Sequence, residues 1–405
     1  MRAYERMLKY VKIWTTSDPE SDTVPSALRE LDLAYLLADE MKTMGIQDAH
    51  VDAHGYVYGF IPAAKGYEQY PAVGLIAHMD TVADCCGEHV DPQIIYDYNG
   101  EDVPLGESGK VLRCKEFPHL RNLKGRTLIT TDGTTLLGAD DKAGIAEILT
   151  VAEEIMNAEK PHCRICICFT PDEEIGRGAD HFDLEKFDAR YAYTLDGGPE
   201  GEIQYENFNA ASAIFTITGK NIHPGSAKDI MLNSQSVAME VHAMLPKEET
   251  PECTGGYEGF YHLHDMKGNT ECTVLKYLIR DFDSENFKRR KEFLYQVQNK
   301  VNEKYTSCPV ALEIQDTYFN MREMLEPCMH LIDYAKMACE KEGLKPDLSP
   351  VRGGTDGARL SYKGLPCPNL GTGGYGYHGE YEHITAEGMD KAVAITKRIL
   401  YMFVN

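Results

Sequence analysis

Short apolar runs that end on an acidic residue or a histidine recur along this chain, and they constrain its fold more than any other feature. AVGLIA leads into His78-Met79-Asp80, RICICF into Thr170-Pro171-Asp172-Glu173-Glu174, and YAYTL into Asp196-Gly197-Gly198. Runs of this length, bounded by turn residues, read as buried strands at 72–77, 164–169 and 191–195, with further strands at 57–61 and 128–130. Helical periodicity separates them, over 4–14, 25–44 and 142–157. Strands alternating with helices imply an α/β layer with a central, mostly parallel sheet. In such open sheets ligands gather beyond the carboxyl ends of the strands, where the acids and histidines of this chain lie.

The pattern changes near Phe208. Strands are predicted over 213–218, 259–263, 272–282 and 310–314, with helices over 227–245 and 284–303. That order, β-α-β-β-α-β, is the split βαβ or ferredoxin-like arrangement. After about residue 320 the helical pattern resumes, over 325–342 and 386–402. A chain of 405 residues is too long for one ordinary core. The expected layout is a larger α/β domain built from 1–207 and 320–405, with an α+β domain inserted at 208–319. The stretch 85–126, rich in Gly, Pro, Asp and Asn, reads as an irregular insertion.

Charge excludes some partners. Lys and Arg total 41 against 64 Asp and Glu, a formal net charge of −23. Such a surface repels phosphate backbones and anionic membranes, so neither nucleic acid nor membrane is an expected partner. No apolar run approaches the roughly 18 residues of a membrane span, and the N-terminus lacks a signal-peptide core. The expectation is a soluble, cytoplasmic protein. Cys163, Cys166 and Cys168 alternate within an apolar strand, and no second CxxC completes a tetrathiolate zinc site. The twelve cysteines are expected as reduced, mostly structural thiols, with Cys85–Cys86 the pair most open to reaction.

Each polar cluster has a structural explanation of its own. His78 and Asp80, two residues apart on an extended chain, share a side, as in a surface His–Asp pair. Asp140 or Asp141 caps a helix after Gly138. Asp172, Glu173 and Glu174 form an acidic loop. His378 and His383 flank Glu380 and Glu382 after a Gly-rich stretch. Together, however, the clusters supply two imidazoles, three carboxylates and a spare Glu at strand ends. That is a ligand set for two divalent ions bridged by one carboxylate, with positions left for water. Nitrogen and oxygen donors without thiolate suit zinc, and manganese or cobalt also fit. His262 and His264 have the spacing of a metal pair but read as surface residues of the inserted domain.

The motifs IAHMDTV, LLGADDKAGIAEI, TPDEEIG, TLDGG, NIHPGSAKDIMLNS, RDFD, RGGTDGA and TGGYGYHGEYE resemble, in order and separation, those of the two-zinc aminoacylase/carboxypeptidase metallopeptidase family, in its tripeptide-aminopeptidase branch. The resemblance implies a zinc-exopeptidase-type catalytic domain with a ferredoxin-like lid. It implies two zinc ions and short peptides as substrates. His78, oriented by Asp80, and Asp196 would hold one zinc, and Glu174 and His378 the other. Asp140 would bridge both, with a cis peptide before Asp141. Glu173 would be the general base. The last histidine ligand could be read on His383, but the family pattern has Glu four residues on, which matches His378 and Glu382. His223 would assist the scissile carbonyl, Arg280 would hold a substrate carboxylate, and Arg352 would face the substrate. The family's Lys-His is Glu380-Tyr381 here, which changes charge near the cleft. Relatives include both monomers and dimers that share the residue matching His223, so a homodimer stays open. So do a dipeptidase, an N-acyl-amino-acid deacylase, and a metal- or peptide-binding protein without catalysis, although the last needs the five ligands and not Glu173.

Overall fold

The computed structural model describes residues 1–404. They form two compact units. One comprises Met1–Tyr205, Glu323–Ser349 and the chain from Thr355 onward, and the other Glu206–Arg322 with Pro350–Gly354.

Among the described residues, seven strands of the first unit make one sheet. Its order is Gln47–Val51, Val57–Ile61, Ile165–Thr170, Val73–His78, Tyr191–Leu195, Asn369–Leu370, Ile203–Gln204. The four from Ile165–Thr170 to Asn369–Leu370 run parallel, and antiparallel pairings flank them. This is the expected α/β layer. Every residue of Val73–His78 and Ile165–Thr170 is buried, because both faces are covered, so their apolar runs do not alternate. Helix Ala139–Asn157 packs on Val73–His78 and Tyr191–Leu195, and against helices Ala3–Tyr10 and Ala386–Met402. It is buried almost all round, through Ile145, Ile148, Leu149, Val151 and Ile155. Burial pushes the Cys163 thiol up to about 12 and Cys166 up to about 11, the behaviour of small core hydrophobes. No described helix is long and apolar enough to cross a membrane.

In the second unit, four antiparallel strands lie in the order Phe260–Gly268, Cys272–Asp281, Asn209–Thr218, Val310–Tyr318. With helices Ser234–Ala243 and Ser284–Lys304 the chain order is β-α-β-β-α-β, the ferredoxin-like connectivity. Burial alternates along Cys272–Asp281, and its inward residues Leu275, Tyr277 and Ile279 meet Phe215, Leu294, Val297 and Val301.

Four details depart from the sequence expectation. The helix predicted over 25–44 begins at Glu30, after a turn that holds a cis Val24–Pro25 bond. The one predicted over 227–245 begins at Ser234, where the Asn233 side chain accepts from the Gln235 N–H as its cap. Segment 85–126 is not irregular throughout. It carries the strands Gln93–Ile95, Val103–Leu105 and Lys110–Leu112 around a core of Tyr98, Val103, Leu105, Leu112, Leu120 and Leu123. Residues 350–354 also leave the expected second part of the catalytic domain, since Val351 pairs with Asn207 and donates to Glu206 O at 2.9 Å.

Candidate active site

The parallel strands end side by side. His78 closes Val73–His78 opposite Thr170, and Asp196 follows the end of Tyr191–Leu195. Asp140 arrives from the start of helix Ala139–Asn157. There Gly138 takes a left-handed φ of 77°, Asp140 and Asp141 leave helical geometry, and the bond between them is cis. Gly144, one turn on, cannot carry a Cβ, which would meet Leu195 O and the Asp141 carboxylate. The absent side chain lets this helix close on the strand end.

Four distances define the centre. His78 Nε2 lies 3.0 Å from Asp140 Oδ1 and 3.8 Å from Asp196 Oδ1. His378 Nε2 lies 3.4 Å from Asp140 Oδ2 and 3.1 Å from Glu174 Oε2. Each oxygen of Asp140 thus faces a different imidazole. Donors that share one tetrahedral zinc at about 2.0–2.1 Å stand about 3.3 Å apart, and these separations bracket that value. His78 Nδ1 points the other way, 3.3 Å from Asp80 Oδ1 and 3.1 Å from Asp80 O, which leaves Nε2 free to donate its lone pair. His383 is not part of the centre. It is buried, donates from Nδ1 to Tyr381 O at 2.7 Å, and meets His119 Nε2 at 2.8 Å.

The centre is short of positive charge. Burial pushes Glu174 up, Asp196 up to about 7, and Glu173 well above the ordinary range. Contacts with Asp140 and Glu174 raise His378 to about 11. Burial alone would lower His78, but Asp140 and Asp80 outweigh it and raise it. Glu174 Oε1 is buried with no hydrogen-bond partner among the described residues. A nitrogen and oxygen donor set with protons where charge is missing fits divalent cations.

Residues 132–402 match Peptidase family M20/M25/M40. The chain belongs to this family. A Peptidase T from Aliivibrio salmonicida is 53% identical over 396 residues, covering 98% of this chain and 97% of that protein. In solved structures, the aminopeptidase PepT from Bacillus cereus superposes with a TM-score of 0.79 at 22% identity, covering 100% of this chain and 98% of that one. A Bacillus subtilis protein described as a dinuclear metal-binding peptidase of the M20 family superposes at 0.67 with 14% identity, covering 99% and 97%.

Within this M20 chain, further buried acids surround the centre. Asp80 has no exposed surface. Its Oδ1 accepts the Glu173 N–H at 2.9 Å and its Oδ2 the Glu174 N–H at 3.1 Å. Asp141 also presents an oxygen near His78 and Asp196. Both of its oxygens, however, already accept backbone N–H groups, from His78 and Gly144, each at 3.1 Å. Asp172 sits at a left-handed φ of 59°, with its carboxylate on the Ser26 N–H and its own N–H on Glu30 Oε2 at 3.2 Å. Asp356 accepts from Thr170 Oγ1 at 2.8 Å. Glu382 accepts three N–H groups of the loop that delivers Asp140. Of these, Glu30 alone lies outside the motifs quoted above; Asp141, Asp172, Asp356 and Glu382 lie within them, but the sequence does not show what they bond.

The first unit brings together His78, Asp80, Asp140, Glu173, Glu174, Asp196 and His378. His223, Arg280 and Arg352 belong to the second. His223 is exposed beside the short 3-10 turn Pro224–Ser226, and its Nδ1 accepts from the Gly225 N–H at 3.1 Å. Arg280 lies on Cys272–Asp281 with its guanidinium 5.0 Å from the Tyr318 ring centre, and among the described residues no acidic side chain pairs with it. Arg352 is hydrogen-bonded within its own unit. It donates to Gly256 O at 2.6 Å, Glu258 O at 3.1 Å and Thr254 Oγ1 at 3.1 Å, over the rings of Phe208 and Phe260. Its fork is taken up by its own unit.

Proposed function

We infer that this chain is a metal-dependent aminopeptidase that removes the N-terminal residue of short peptides, tripeptides above all. The observation that carries the reading is Asp140, whose two oxygens face two imidazoles, each with a further carboxylate beside it. The name of the relatives at about half identity supports the substrate class.

His78 and Asp196 would hold one cation, His378 and Glu174 the other, and Asp140 both. Zinc suits these donors best, with manganese and cobalt as substitutes. Such a pair, when bound, supplies Lewis acidity and an acidified water. Glu173 takes the proton of the attacking water and returns it to the leaving amine. Burial raises its basicity above that of an ordinary carboxylate. Asp80 acts behind it, orienting His78 and holding the Glu173 and Glu174 backbone. Arg280, without an acidic partner, would take a peptide carboxylate bidentately, and His223 would donate to the carbonyl under attack. Arg352, already bonded, is a support of its own unit. The buried thiols support work in the reducing cytoplasm.

The test is metal analysis coupled to a panel of di-, tri- and tetrapeptides and N-acyl amino acids. The expected result is two divalent ions per chain and release of the first residue, fastest from tripeptides. Faster cleavage of dipeptides or acyl amino acids would reassign the substrate. Bound metal with no turnover of any member would make this a binding protein.

A further inference from the structure

Glu382 stands four residues beyond His378, just before the strand His383–Thr385, and its relative exposure is 1%. Its Oε2 accepts the N–H groups of Leu137 at 2.7 Å and Gly138 at 2.8 Å, and its Oε1 that of Asp140 at 2.9 Å. One carboxylate therefore satisfies three backbone donors on the segment that presents Asp140, while sitting on the segment that presents His378. These donors need an outside partner. Gly138 is left-handed and Asp140 is non-helical, so the loop cannot close the bonds within itself. Asp80 treats the neighbouring loop in the same way, taking the N–H groups of Glu173 and Glu174.

We propose that Glu382 is a positioning residue that sets the separation of His378 from the bridging Asp140, and with it the spacing of the two cation positions. The inference rests on the metallopeptidase reading above. An ionised carboxylate is acceptor-only, and its two oxygens can serve three donors. Glutamine of the same volume keeps one oxygen and turns an NH2 group toward the remaining N–H donors. Glu382→Gln thus frees the Asp140 loop without opening a cavity. The loss should appear in metal binding before it appears in peptide binding, since Glu382 has its bonds to the ligand loop.

The experiment titrates metal-free wild type and Glu382→Gln with cobalt(II), by calorimetry and by visible d–d absorption, alongside tripeptide kinetics and thermal melts of the metal-free proteins. Removing a group that orients a ligand typically weakens metal affinity by about 10- to 100-fold, and that is the expected loss. An altered d–d band and a lower kcat at unchanged KM should accompany it. Glu382→Asp, which keeps both oxygens on a shorter stem, should recover part of the affinity. Wild-type cobalt affinity and spectrum in Glu382→Gln would overturn the proposal and leave the metallopeptidase reading standing. So would a lowered melting temperature with unchanged cobalt binding, which marks a merely structural acid. If wild type itself binds no cobalt, both fall. If Glu382→Gln does not fold, Glu382→Asp decides: unchanged affinity refutes the proposal, weakened affinity supports it.

Discussion

Glu173→Gln keeps the shape of the side chain and removes its capacity to take a proton. The backbone at this position should not move, because the Glu173 N–H is held by Asp80 Oδ1 at 2.9 Å and the next N–H by Oδ2 at 3.1 Å. What is lost is a carboxylate that burial has pushed well above the ordinary range. Loss of a general base costs about 10²–10⁴-fold in rate. At about 1.36 kcal/mol per tenfold, that is about 2.7–5.4 kcal/mol of barrier. Glu174→Gln should behave differently. Its Oε2 is 3.1 Å from His378 Nε2 and its Oε1 is buried without a partner among the described residues, so the change removes a proposed ligand and leaves an amide in its place. Metal content should fall with activity, since each cation has few protein donors to spare. Zinc per chain by mass spectrometry and tripeptide kcat, measured on both variants in parallel, separate the two. A Glu173→Gln protein that stays active, or that loses zinc as readily as Glu174→Gln, refutes the division into base and ligand.

Three further outcomes are expected. Chelation should abolish turnover and lower the melting temperature, with both restored by zinc, because an ion that binds only the folded state at 100 times its Kd adds about 2.7 kcal/mol; an unchanged melt would mean the carboxylates hold no ion. Arg280→Lys keeps the charge but loses the fork, so tripeptide kcat/KM should fall sharply; an unchanged value would remove Arg280 from the substrate site. Ile167→Ala, fully buried in the central strand between Leu75 and Gly59, should cost about 2–5 kcal/mol in urea unfolding; a loss well below that range would mean the sheet does not bear on a packed core there.

The residues proposed to face the cations were legible because each lies inside a short motif that follows a strand or opens a helix. HMD, DEE and LDGG follow strands whose burial makes them nearly continuous apolar runs. The inserted unit was legible because Cys272–Asp281 alternates cleanly and Ser284–Lys304 is long. The supports were not legible, since their partners are remote. Glu382 meets Leu137 across 245 positions, Glu30 meets Asp172 across 142, and Asp356 meets Thr170 across 186. Only the tertiary fold creates those pairs. Segment 85–126 hid its core because its strands are three residues long, too short for a period to show. His378 and His383 look alike in sequence, and burial against His119 is what sets His383 apart.

The same geometry divides the buried acids into two classes that composition cannot distinguish. Asp80, Asp141, Asp172 and Glu382 turn their oxygens to backbone N–H groups. Asp140, Glu174 and Asp196 turn theirs to imidazoles, or in the case of Glu174 Oε1 to no partner among the described residues. A carboxylate with good N–H donors can stay ionised when buried, and one without them needs a cation or a proton. The second class contains three of the five residues expected to bind metal. The first class is the scaffold that holds those residues and their loops at ligand spacing. Substitutions in the two classes should therefore differ in kind: in the second they remove a donor from a cation, and in the first they leave every donor in place and change where it points.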